Sequence, residues 1–168
     1  MRESRREPQL ALDAPAMSQD TLSEGLRSVR LRSAVYFYVS CADKWVAEAP
    51  ASADIAAAVM PGAERVIEYH VVTRGDCWAA IVGEPPIRLA RGDVILLPQG
   101  DAHVMSSAPG MRANPHVSMF YEMKLRQRPF RVAYDGARPP NASPYSQDGP
   151  ADSGPNPSTT LVCGFIGC

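Results

Sequence analysis

Apolar and polar positions alternate along most of the central chain, and the alternation has mainly the two-residue period of strands. Ser33 to Ser40 is β-branched and aromatic, which predicts a strand buried on at least one face; Trp45 follows it as a core plug. Arg65 to Thr73 reads as a strand, Arg74-Gly75 as a turn, and Cys77 to Val82 as the partner strand of a hairpin. Val94 to Leu97 is a short apolar run closed by Pro98 and Gly100, so His103 falls early in the next strand. Thr159 to Cys168 returns to strand text, and Phe130 to Tyr134 is one more short strand. Helical spacing is confined to residues 21–30, where Thr21 and Glu24 form a capping box and Leu22, Leu26 and Val29 share a face. Val117 to Leu125 fits a strand or a short helix.

Other stretches lack such a pattern. Residues 1–18 read as a mobile arm, and residues 49–58, poor in large side chains, as a connection. Residues 136–157 hold six prolines and three glycines in 22 positions and predict a disordered insertion.

A chain of 168 residues is one domain's worth. With 17 basic and 18 acidic side chains the net charge is -1, so no electrostatic footprint for nucleic acid or membrane is present. No run reaches the roughly 20 apolar residues that span a bilayer, and the N-terminus lacks a secretion signal, which points to the cytoplasm. Cys41, Cys77, Cys163 and Cys168 contain no Cys-x-x-Cys pair, which argues against a zinc ribbon or disulfide framework and for reduced thiols.

The stretch Gly92-Asp-Val-Ile-Leu-Leu-Pro98-Gln-Gly100-Asp-Ala-His103 resembles the second motif of the cupin superfamily at all four defining positions. Glu68, seven positions before Gly75, together with Gly62, is similar to part of the first motif. The resemblance implies a mainly β fold, a cupin jelly-roll (double-stranded β-helix) barrel, here with a short N-terminal helix. The chain departs from the motif where cupins carry a His-x-His pair, since residues 60–67 contain no histidine. Strand geometry offers a substitute: Glu68 and His70, two apart, share a face, and in this fold that face looks inward toward His103. Glu68, His70 and His103 then form a mixed oxygen and nitrogen set suited to zinc or iron. In the expected hairpin Cys77 lies opposite Val72 and joins their face. The alternative is that both histidines are hydrogen-bonded structural residues beside a metal-free pocket. Cys77 and Cys168 are also candidates for redox sensing of an oxidant.

The order of Asp20-Thr-Leu-Ser23, Trp45, Tyr69-His-Val-Val72 with Gly75-Asp-Cys-Trp78, Leu89 with Gly92 to Pro98 and His103, and Thr160 to Gly164 resembles the cupin sensor half of AraC-type transcription regulators. That resemblance implies an effector-binding, dimerising sensor without catalytic residues, reaching DNA only through a C-terminal helix-turn-helix domain that this chain lacks. The abrupt ending after Cys168 reads as a cut. The competing expectation is a stand-alone metal-dependent cupin enzyme of oxygenase or isomerase type.

Overall fold

The computed structural model describes residues 33–124, 130–134 and 157–167. The arm at 1–18, the helix at 21–30, Cys168 and all but the last residue of the insertion expected at 136–157 lie outside them.

The described elements are β1 (Ser33–Cys41), β2 (Val46–Ala49), α1 (Ser52–Val59), β3 (Val66–Arg74), β4 (Asp76–Ile81), β5 (Ile87–Ala90), β6 (Val94–Leu97), β7 (His103–Ser106), α2 (Val117–Lys124), β8 (Phe130–Tyr134) and β9 (Thr159–Gly167). The strands form a five-stranded sheet in the order β6-β3-β9-β1-β8 and a four-stranded sheet in the order β2-β7-β4-β5. The parallel pairing of β1 with β8 stands apart from the antiparallel pairing elsewhere in the described residues. Most neighbours are distant in sequence, the mark of a jelly roll rather than a meander.

Alternation decides which face is the core. On β3, Val66, Glu68, His70 and Val72 are buried while Ile67, Tyr69 and Val71 are only half-buried. The same rule buries Leu161, Cys163 and Phe165 on β9 and Phe37, Val39 and Cys41 on β1. From the second sheet Cys77, Ala79, Leu89 and Met105 complete one apolar cluster. Thus β9 fills the middle of the larger sheet, with His70 opposite Cys163 on one side and Phe37 opposite Cys163 on the other.

Two expectations fail. Residues 49–58 are not a connection: Ala49 ends β2 and Ser52 to Val59 forms α1, in which Ile55, Ala58 and Ser52 are buried. Alanine favours helix, and its small side chain lets α1 lie close on the barrel, so poverty in large residues did not mean exposure. The hairpin between residues 65–73 and 77–82 is also wrong. Gly75, at φ +70, carries the chain from one sheet to the other, and a Cβ there would strike the Ser158 carbonyl. β4 pairs with β5 and β7, while β3 pairs with β6 and β9. The stretch from 117 resolves as a helix, with Met119 and Phe120 buried.

Candidate metal centre and cavity

Three elements bring the polar core together. β3 turns Glu68 and His70 inward because residues two apart share a face. The turn after β6 is closed by Gly100 N–H donating to Leu97 O at 2.9 Å, and it delivers His103 as the first residue of β7. Glu68, His70 and His103 are only 2%, 7% and 3% exposed. One ligand atom from each lies within 4.8 Å of the others. His70 Nε2 stands 2.7 Å from His103 Nε2, and His103 Nε2 stands 3.7 Å from Glu68 Oε2. Ser52 Oγ, from α1, donates to Glu68 Oε1 at 2.5 Å.

Burial governs the charges. It raises the Glu68 carboxyl to about 7, against the pull of the Ser52 hydrogen bond. His70 is held well below its ordinary value by burial and then by His103, and His103 is lowered by burial against the opposing effect of the Asp101 carbonyl. The Glu68 and His103 pair is therefore not a formed ion pair near neutrality, and 3.7 Å is too long for a direct hydrogen bond.

The donor set fits a first-row metal. Metal–ligand bonds of about 2.0–2.2 Å separate neighbouring ligand atoms by about 3–3.5 Å. The Glu68 to His103 gap of 3.7 Å has to close slightly to reach that spacing, while the two imidazoles need to part by about half an ångström. His103 Nδ1 lies 2.9 Å from the Asp101 carbonyl, a contact that leaves Nε2 free to bind. Among the described residues His70 Nδ1 has no hydrogen-bond partner, so its ring is oriented less firmly by them. A zinc or iron ion held here would supply Lewis acidity or redox chemistry with an open coordination position.

The three residues form part of the wall of a cavity of about 910 Å³. Phe37, Trp45, Met105, Phe120 and Phe165 give it an apolar lining, and exposed Lys44, Asn114 and Pro115 mark where it reaches the surface. Across one side runs the segment from Ser107 to His116. It is fastened by Ser107 N–H to the Trp45 carbonyl at 3.0 Å and by a fork from Arg112 to Glu48, with Nε to Oε2 at 2.8 Å and Nη2 to Oε1 at 2.6 Å. Ala113 N–H adds a bond to Glu48 Oε2 at 3.1 Å. The Arg112 hydrogen bonds hold the Glu48 carboxyl below its usual range.

Sequence reasoning named Glu68, His70 and His103, and the structure brings these three together. Cys77 does not join them: it sits opposite Leu89 in the other sheet, because the hairpin that placed it opposite Val72 does not form. Burial and the neighbouring Asp76 and Asp93 push its thiol up to about 11, the reverse of the activation expected of a redox cysteine. Cys168 lies outside the described residues. Trp45 is buried as expected but also lines the cavity, and the half-buried His116 lines it too. Ser52 and the Glu48–Arg112 fork were missed. Their partners lie 16 and 64 residues away in sequence, beyond any local pattern.

A family model described as Cupin matches residues 20–168. No curated protein matches the chain. Among solved structures, a crystal structure of a cupin protein from Bacteroides fragilis shares 11% sequence identity over 99% of this chain and 86% of that one, with a TM-score of 0.36. The assignment rests on the family model, which spans most of the chain, and on the two-sheet jelly roll it accompanies: this chain belongs to the cupin family.

Proposed function

We propose that this cupin domain is the effector-binding sensor of an AraC-type transcription regulator. The observation that carries this reading is the cavity: about 910 Å³, mainly apolar and aromatic, with a few convergent polar groups in its wall. That is a container for a small organic effector. The ordered landmarks from Asp20 to Gly164 support the regulator family, and the small net charge agrees with DNA contact through a separate C-terminal domain. Such a domain would work in the cytoplasm as a homodimer. The outer face of the larger sheet supports pairing, since Tyr36, Tyr38, Val94 and Leu96 are 43–57% exposed on it. Glu68, His70 and His103 would hold zinc or iron as part of the sensing site. An effector then acts by favouring one arrangement of sensor and reader, to the extent of its differential affinity for them.

The grouping of those three residues within 4.8 Å favours a second reading, a metal-dependent enzyme of oxygenase or isomerase type. One experiment separates the two. Small organic molecules are screened by thermal shift against the wild type and Ala47→Phe, which fills the cavity from β2. The sensor reading expects compounds that raise the wild-type Tm, lose that effect in Ala47→Phe, and are recovered unchanged by mass spectrometry. Conversion of a bound compound in the presence of zinc or iron would establish the enzyme instead.

A further inference from the structure

We propose that Ser52 is the positioning residue of the Glu68, His70 and His103 centre, fixing which carboxylate oxygen of Glu68 is presented to an incoming metal; this rests on the metal reading given above. Ser52 is the first residue of α1, directly after the N-cap Ala51, and among the described residues no side-chain hydrogen bond caps that end. A serine at a helix start ordinarily turns its hydroxyl onto the backbone. Here it is buried, 3% exposed, and donates to Glu68 Oε1 at 2.5 Å instead. With Oε1 so engaged, Oε2 is the oxygen 3.7 Å from His103 Nε2. Hydrogen bonds of this kind orient a ligating carboxylate and make it a one-oxygen ligand.

Placement of Ser52 depends on the turn that also delivers His103. Ser52 N–H donates to the Gly100 carbonyl at 2.8 Å. Gly100 has φ +65, and a Cβ on it would collide with Cβ and Oγ of Ser52. Only glycine there lets α1 seat against the turn, so a single loop sets both His103 and the hydroxyl that aims Glu68.

The test is titration of cobalt(II) into the chelator-treated full chain, read by its visible absorption, for wild type, Ser52→Ala, Ser52→Thr and His103→Ala. Circular dichroism and Tm confirm that each variant is folded. Ser52→Ala is expected to weaken cobalt binding about 10–100-fold. Its spectrum should also be weaker and shifted, as both carboxylate oxygens turn to the metal and coordination number rises. Ser52→Thr, which keeps the hydroxyl, should retain the wild-type spectrum and affinity. Wild-type binding left unchanged in Ser52→Ala, or lowered equally by Ala and Thr, overturns the positioning role alone. Wild type that binds no more cobalt than His103→Ala overturns the metal reading itself, and the proposal with it.

Discussion

His70 and His103 face each other through their Nε2 atoms at 2.7 Å, and a backbone carbonyl decides which of them donates. Asp101 O can only accept, so the 2.9 Å contact places a hydrogen on His103 Nδ1. Burial keeps both rings neutral, which leaves His103 Nε2 as an acceptor and makes His70 Nε2 the donor. In the metal-free protein, nitrogen-15 NMR of the histidines should find His103 protonated at Nδ1 and His70 at Nε2. A metal that coordinates both Nε2 atoms must move the His70 proton to Nδ1. The reverse tautomers in the metal-free state would show that the Asp101 contact does not order the pair.

The same three residues set an optimum of stability in chelator-treated protein. The carboxyl of Glu68 is raised to about 7 from 4.5, so its contribution is full below 4.5 and is lost as pH rises through about 7. His70 and His103 are lowered from 6.5, so theirs is full above 6.5 and is lost as pH falls. Two imidazoles outweigh one carboxyl on the acid side. Urea unfolding from pH 5 to 8 should therefore show a maximum near 6.5; His70→Phe, which leaves one imidazole against one carboxyl, should flatten its acid side, and Glu68→Gln should remove the fall above it. A curve unchanged by both substitutions would remove these groups as its cause.

Much of this centre was legible from the sequence because it depends on short-range rules. The two-residue period put Glu68 and His70 on one face, and the Pro98 and Gly100 turn put His103 at a strand start. What failed depends on which sheet a strand enters. Gly75 looks locally like a hairpin turn, yet its positive φ serves a corner between sheets, and the error carried Cys77 into the site. α1 was hidden because Ala-rich text carries little amphipathic contrast; its Ser52 meets Glu68 only through the tertiary fold.

The thiols follow from that corrected topology. Cys41, Cys77 and Cys163 are buried, and burial raises all three. Peptide mapping after brief iodoacetamide treatment at pH 8 should find these three unmodified in native protein and fully alkylated in urea. Rapid native labelling of Cys77 would reinstate it as a reactive group. Cys77→Ala should also leave metal affinity within about twofold of wild type, since Cys77 is not in the group of ligand atoms that lie within 4.8 Å of one another.

The fork from Arg112 to Glu48 fastens the segment beside the cavity. Arg112→Ala should speed amide hydrogen exchange across residues 107–116 by about tenfold, with β3 and β9 unaffected. The Glu48 carboxyl lies below its usual value, so the fastening holds above pH 4.5 and loosens as pH falls below it. Exchange unaltered in the variant would mean that the Ser107 to Trp45 bond is sufficient by itself.

Metal stoichiometry tests the central claim most directly. Chelator-treated wild type, dialysed against zinc or iron(II) and analysed by elemental mass spectrometry, should retain about one ion per chain, and His103→Ala and Glu68→Gln should each retain about tenfold less. Wild type that retains no more metal than either variant would contradict the account and leave Glu68, His70 and His103 as a hydrogen-bonded wall of a metal-free cavity.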